Sequence, residues 1–445
     1  MSQYKYPNKV PFYKFLFNST AIAKNPIPFY KKWFDMHDDS FSVISPFRGR
    51  VILTRNATLS KQILQKQHKI YHKSKIQTKF LSKYIGYGLL TSSGEYWLKQ
   101  RRLIQPGFHK EKIKNLVSII NNTIREQVDK IETDTYVDLY PIMHELAFEV
   151  VAKSLFNYSA EKKTLRRLQV IIEQLQQFIV KEIRQPHKKL WYVLKGDIRY
   201  HMKLVKESRD IINAVIENRK QSKESHDDLL EMLLNAKYED GLSMTNNQLI
   251  DEILILFVAG HETTANALTF TLKLLAQNQD TLKKIQAEVD IVESTNSSLL
   301  DTILKLKFTR SCIDESLRLY PPAWITDRVA VKDNQLGDYF LKKGTIIGIS
   351  IYELHRSVSY WKNPDDFIPE RFIEDNQRHK SGYYLPFGAG PRLCIGNDFA
   401  IYEMILVINE IIKRFDISTN NNVIKVNPLI TLKPVGLQLK FTPKC

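Results

Sequence analysis

The residue best equipped for chemistry in this chain is Cys394. It sits in the run Phe387-Gly388-Ala389-Gly390-Pro391-Arg392-Leu393-Cys394-Ile395-Gly396, just ahead of the apolar helical pattern Phe399–Ile412. Three glycines and a proline permit a tight backbone whose amide N–H groups converge on the sulfur, and a helix N-terminus follows. Such surroundings suit a thiolate, the form of cysteine that ligates metals, and Arg392 adds a cation two residues away. The alternative is a buried structural cysteine in a Gly-rich turn.

Three further groups have spacings that could do or support chemistry. Glu315 and Arg318 are three apart in the apolar-periodic stretch Leu304, Phe308, Ile313, Leu317, so they share a helix face. Pro369-Glu370-Arg371-Phe372 offers a second guanidinium, and one carboxylate bridging two arginines makes a buried clamp. The competing reading is an ordinary surface ion pair. The stretch Thr245–Gln277, with Thr245 as N-cap, is apolar almost all round and belongs in a core. In its middle stands Ala259-Gly260-His261-Glu262-Thr263-Thr264. There glycine costs about 1 kcal/mol against alanine and a buried carboxylate is expensive, and broken local rules point to function. Thr263 could instead only back-bond to a carbonyl, and His261 could be a satisfied helix histidine. A His-Glu-x-x-His zinc site is excluded because position 265 is alanine. Finally, Trp97 and Arg101 are four apart and neighbour each other on one helical face.

Together these strings resemble the signatures of the cytochrome P450 monooxygenases, in order and spacing, from about Pro28 to Pro443. The resemblance implies a mainly α fold with a smaller β region, the single-domain cytochrome P450 fold. It implies heme b as cofactor, with Cys394 as thiolate ligand of an iron whose O–O cleavage the sulfur favours. It implies Glu315, Arg318 and Arg371 as the clamp that fixes the Cys394 loop. Trp97, Arg101, Arg328 and Arg392 are implied to hold the heme propionates, and Phe387, Ala259 and Gly260 to lie against the heme. Glu262 and Thr263 are implied to carry protons to bound oxygen. The substrate pocket would be formed by the loop His72–Ser93, a helical hairpin over Leu165–Tyr200, the segment after Glu-x-x-Arg and a turn near the C-terminus. Its implied wall residues are Ala259, Thr263, Ala323, Trp324, Ile325, Val435 and Leu437.

The elements that must position these residues can be read coarsely. Helical periodicity dominates from Lys112 to Tyr320, while Val329–Ile351 and Ile424–Phe441 carry the β-branched alternation of strands. The expectation is one domain over residues 1–445, helix-rich at about 95–320 and 395–415 and β-rich at about 40–60, 329–351 and 424–441. No Gly/Ser/Pro-rich linker or internal repeat divides it, and Asn420, Asn421 and Asn422 read as a polar turn.

No stretch reaches the roughly 18–20 apolar residues of a membrane span, and Lys5, Lys9 and Lys14 break up the N-terminus. Three cysteines, Cys312, Cys394 and Cys445, make no disulfide framework. The expectation is a soluble, cytoplasmic, monomeric protein of bacterial type. No flavin or iron–sulfur domain is visible, so electrons are expected from a ferredoxin or flavodoxin with a separate NAD(P)H reductase. The charge of +17 fits an acidic partner steered to a face bearing Lys99, Arg102 and Lys110, and a Lys-rich composition alone would also produce it. Nucleic acid is not expected, because no recognition module appears. The expected activity is hydroxylation or O-demethylation of a small organic substrate. A peroxide-driven peroxygenase and a heme-thiolate gas or redox sensor are the alternatives, and the Glu262-Thr263 pair counts against both. Fatty acids, terpenoids and O-methylated sugars stay open as substrates.

Overall fold

A computed structural model describes residues 4–45, 49–156, 162–222, 228–374 and 382–444. Cys445 lies outside them. The organising element is the helix Asn246–Gln277. It starts where the sequence places its cap: the Thr245 hydroxyl accepts from Gln248 N–H while the Gln248 side chain accepts from Thr245 N–H at 2.8 Å. Apolar side chains surround it, so it runs through the core against the helices Leu139–Phe156, Lys307–Leu319 and Asn397–Arg414. Among the described residues it alone is long and apolar enough to cross a membrane, but 78% of its most apolar window is buried within the protein. The Phe148 and Phe257 rings stack 5.6 Å apart at one of these contacts.

The β-structure lies in small sheets beside the helical body. The largest orders Ser40–Ser45, Gly49–Thr54, Ile346–Ser350, Ile325–Ala330 and Tyr71–His72. Its one parallel pairing sets Val51 opposite Ile346, and the other pairings are antiparallel. A three-stranded sheet joins Tyr136–Asp138, Gln438–Pro443 and Phe415–Ser418, and Lys425–Pro428 pairs with Leu432–Val435.

Several boundaries differ from the sequence reading. The segment His72–Ser93 is not simply a loop, since Ile76–Leu81 and Ser82–Ile85 turn helically to bury Leu81, Tyr84 and Ile85. The strand expected from Val329 begins at Ile325, and Ile351 already belongs to a helical turn capped by Ser350. The hairpin over Leu165–Tyr200 consists of Lys162–Arg184, a turn at Pro186–Lys188, the short helix Lys189–Leu194 and the start of Asp197–Gln221. Pro186 and a left-handed Gly196 make those breaks.

Candidate active site

The Cys394 loop is held by its own backbone. Gly388 N–H donates to Leu385 O, Leu393 N–H to Gly390 O and Cys394 N–H to Phe387 O, at 2.9–3.0 Å. Gly388 and Gly390 have φ of 75° and 70°, and a Cβ on Gly390 would come within 2.1 Å of Leu64 O, so no other residue fits there. The Cys394 side chain opens into an internal cavity rather than onto the outer surface. Enclosure by protein pushes its thiol pKa up, while the Gly396 N–H and the Arg101 guanidinium pull it back toward the thiolate.

The clamp lies behind this loop. Arg318 grips Glu315 bidentately at 2.7 and 2.8 Å, and both side chains are fully buried. Arg371 reaches the same carboxylate at 3.3 Å, and Ile368 N–H donates to it at 2.9 Å. The remaining Arg318 donors bond the carbonyls of His355, Pro364 and Asp366 at 2.6–3.0 Å. His355 completes the connection: its Nδ1–H donates to Arg318 O, and its Nε2 accepts from Leu385 N–H at 2.8 Å. Leu385 is the residue whose carbonyl anchors Gly388, so the clamp is wired to the loop through four consecutive bonds.

Above Cys394 lies a cavity of about 1410 Å³, larger than the roughly 300–1,000 Å³ that encloses one drug-sized ligand. Cys394, Phe387, Ala389 and Phe399 line its floor, and Ala259, Gly260, Glu262 and Thr263 of the long helix line its roof. Ala323, Trp324 and Ile325 also face it. One wall gathers Lys73, Arg328 and Arg392. Burial lowers the pKa of all three, and their mutual repulsion lowers it further for Lys73 and Arg392, which falls to about 9. Asp327 is the acid beside them, and it is already bonded by Ser74 at 2.6 Å and Gln77 at 2.7 Å. Clustered buried cations with so little compensation call for an anionic ligand. A thiolate donor at the floor, space for a planar group and a cationic wall fit heme b with its two propionates.

On the roof, Thr263 Oγ1 donates to Ala259 O at 2.8 Å and Thr264 Oγ1 to Gly260 O at 3.0 Å. A Cβ on Gly260 would stand 3.1 Å from Val151, so this glycine also admits the neighbouring helix. Glu262 is buried and is hydrogen-bonded by Gln176 and Thr431. Burial raises its pKa, and nearby Lys433 partly offsets the rise. Behind it a polar cavity of about 20 Å³, enough for one water, is lined by Tyr140, His144, Glu173 and Lys433. His261 donates Nδ1–H to Phe257 O at 2.6 Å with its ring edge-on to Phe148, while its buried Nε2 has no hydrogen-bond partner among the described residues. Among the described residues no His/Cys/Asp/Glu cluster could hold a metal ion.

Four expected residues stand elsewhere. Trp97 lies beneath Arg392, whose guanidinium stacks 3.7 Å from the ring centre, and Arg101 donates to Leu393 O at 2.9 Å; neither lines the cavity. Val435 is exposed and Leu437 packs under Trp324, because the hairpin points its turn, Leu429-Ile430-Thr431, into the cavity instead. Lys73 and His355 were not foreseen. Neither sits in a local pattern, and each acquires its meaning from partners far along the chain. Lys99, Arg102 and Lys110, expected on a partner face, are all exposed, and Arg102 pairs with Glu239 at 2.8 Å.

Three buried histidines give the fold a pH dependence. Burial lowers His144 and His355 to about 3 and His261 to about 4. Between the unfolded value of about 6.5 and these folded values, only the unfolded chain takes up the protons. Stability is therefore complete above pH 6.5 and falls as the pH drops, by about 1.4 kcal/mol per pH unit for each histidine. His261→Leu should make the fall in unfolding free energy between about pH 6.5 and 5 shallower by one such share, and an unchanged slope would contradict it.

The comparisons agree with this geometry. Residues 5–441 match the model of the family described as Cytochrome P450. The chain is 30% identical over 412 residues to the cyclooctat-9-en-7-ol 5-monooxygenase of Streptomyces melanosporofaciens, covering 92% of this chain and 88% of that protein. It is 31% identical over 445 residues to a cytokinin hydroxylase of Arabidopsis thaliana, covering 95% and 85%. To the 11-oxo-beta-amyrin 30-oxidase of Glycyrrhiza uralensis it is 28% identical over 398 residues, covering 84% and 75%. The chain belongs to the cytochrome P450 family, whose cofactor is heme b. It is an oxidoreductase of the monooxygenase class, and the family works with redox partners on small-molecule substrates.

Proposed function

We propose that the protein, as a single heme-thiolate domain, hydroxylates an aliphatic C–H bond of a largely hydrocarbon substrate of terpenoid size. The observation that carries this reading is the cavity that has Cys394 as its floor and Ala259, Gly260, Glu262 and Thr263 as its roof. Its remaining walls are mostly apolar, including Val180, Ile183, Leu256, Val258, Ile325 and Ile430. A sugar would need many convergent polar partners, so this wall favours a terpenoid over an O-methylated sugar, and hydroxylation over O-demethylation. The names of the Streptomyces and Glycyrrhiza relatives, which specify oxidation at one carbon of cyclooctat-9-en-7-ol and 11-oxo-beta-amyrin, support the same class.

Heme bound over Cys394 supplies the activation of dioxygen with two electrons. The chain's own residues do the rest. Cys394 is the iron ligand, and Lys73, Arg328 and Arg392 neutralise the propionates, with Trp97 and Arg101 holding Arg392 and the loop from behind. The apolar walls exclude water and hold the substrate. Glu262 stands between the cavity and the small polar cavity behind it, with a pKa raised by burial, so it can hold a proton and release it toward the Thr263 hydroxyl. Partly exposed Glu173 and Lys433 line the far side of that small cavity and give the proton a route toward solvent. Lys99 and Lys110 leave cations on the face over the sulfur, which suits an acidic ferredoxin or flavodoxin reduced by a separate NAD(P)H reductase.

Two variants test the relay, using product formed per NAD(P)H consumed with a surrogate ferredoxin and reductase. A positioned proton donor contributes roughly 10²–10⁴-fold. Thr263→Ala should keep heme and substrate binding yet divert electrons to hydrogen peroxide, and Glu262→Gln should slow product formation in the same assay. Unchanged coupling in both would remove the proton path. The substrate class is tested by titrating terpenoids, fatty acids and methylated sugars against the ferric protein. Terpenoids should give the largest spectral shift, and a response to sugars alone would overturn the assignment.

A further inference from the structure

We infer that the cavity holds a second anion site, at Arg184, which binds the carboxylate end of the substrate while the apolar end lies over Cys394. Arg184 closes the helix Lys162–Arg184 and lines the cavity. Its guanidinium donates to Ala23 O at 3.1 Å, to Lys24 O at 3.4 Å and to Pro428 O. Those acceptors are carbonyls, which take hydrogens without supplying a counter-charge, and they occupy three of its five N–H donors. No carboxylate among the described residues pairs with it. Enclosure by protein lowers its pKa, and the opposing contribution comes from Tyr30, not from an acid. Lys24, His187 and Lys188 line the cavity beside it, whereas the acids among the lining residues are Glu262 in the roof and Asp327 on the heme wall.

The cavity therefore has two cationic poles. Lys73, Arg328 and Arg392 form the one matched by the heme propionates, and Arg184 is the centre of the other. The helix Lys162–Arg184 measures how far the second pole stands from the reacting end. Gln176 bonds Glu262 in the roof, and Arg184 follows just over two turns later, roughly 12 Å along the axis at 1.5 Å per residue. The C-terminal hairpin spans the same interval, since Thr431 bonds Glu262 and Pro428 O accepts from Arg184. Between these points the lining is apolar, with Val180, Ile183, Leu429 and Ile430. Apolar walls ending at an unpaired cation suit an amphiphile with one acidic end better than a neutral hydrocarbon. Arg184 Nε–H and one Nη2 hydrogen have no acceptor among the described residues, and a carboxylate offers two oxygens to such neighbouring donors. The inference rests on reading this cavity as the substrate site, and it narrows the terpenoid to a terpenoid acid. Fatty acids share the same chemistry and are separated from it by experiment.

The test is spectral titration of the ferric, heme-loaded protein with abietic acid, methyl abietate and abietinol, and with palmitic acid and methyl palmitate. The wild-type protein should bind the acids roughly ten- to a hundredfold more tightly than their esters, the worth of a hydrogen bond between charged groups. Arg184→Met keeps an apolar stem and should lose that preference while leaving the affinity for esters unchanged. Arg184→Lys should retain part of it. A merely structural Arg184 would weaken acid and ester together, and that result would overturn the inference. Turnover of abietic acid should oxidise its isopropyl-bearing end, and oxidation beside the carboxylate would overturn the placement. Acids that bind the wild-type protein no more tightly than esters would overturn the anchor and leave the monooxygenase reading standing. A preference shown for palmitic acid alone and lost in Arg184→Met would support the anchor and overturn the terpenoid assignment.

Discussion

Glu315→Ala will yield heme-free, poorly folded protein rather than a folded enzyme with altered kinetics. The Glu315 carboxylate is fully buried and accepts from Arg318, Arg371 and the Ile368 N–H. Removing it strands the Arg318 guanidinium, itself fully buried, without its counter-charge. Breaking a buried pair this way costs about 3–5 kcal/mol, a large share of the roughly 5–15 kcal/mol that holds a domain together. The damage also has a direction. Arg318 holds the His355 carbonyl, and His355 holds Leu385 at the base of the Cys394 loop, so the loop loses its anchor along with the stability. Heme content per protein and the unfolding transition are the measurements. Soluble, fully heme-loaded Glu315→Ala would show that the pair is dispensable. Glu315→Gln should fall between the two, because an amide can still accept from Ile368 and Arg318 without supplying the charge.

Cys394→His will abolish turnover while leaving the fold. The side chain opens into the cavity, where its hydrogen-bond donor is the Gly396 N–H, so the substitution strands no buried charge. What it removes is the thiolate, the ligand that favours O–O cleavage. The reduced carbonyl complex should move from the red-shifted absorption of thiolate ligation to that of histidine ligation, and product should fall to background. Retained turnover in this variant would place the reacting centre elsewhere.

How much of this was legible in the sequence follows from how local each feature is. The Cys394 loop is a run of consecutive residues whose glycines have a backbone meaning, and Glu315 and Arg318 are fixed on one face by helix geometry, so their spacing alone brings them together. The N-cap at Thr245 was equally readable. Lys73 was not, because an isolated lysine becomes a cavity wall only when Arg328 and Arg392 fold against it. His355 was hidden for the same reason: its two bonds go to Arg318 and Leu385, and neither is a sequence neighbour. Val435 and Leu437 were misplaced because they lie at and beyond the far end of the hairpin's second strand, and only its register shows that the turn at Leu429–Thr431 faces the cavity. Trp97 and Arg101 have the helical neighbourhood their spacing implies, but they reach the cavity wall through Arg392 and Leu393.

The central claim is that Cys394, as a thiolate beneath a cavity roofed by Glu262 and Thr263, is the iron ligand of a monooxygenase. The most direct test is the absorption spectrum of the wild-type protein, purified with its heme, reduced and saturated with carbon monoxide. A band at the red-shifted position of thiolate-ligated heme is the expected result. A band at the position of histidine-ligated heme would contradict the assignment of Cys394 and the chemistry derived from it.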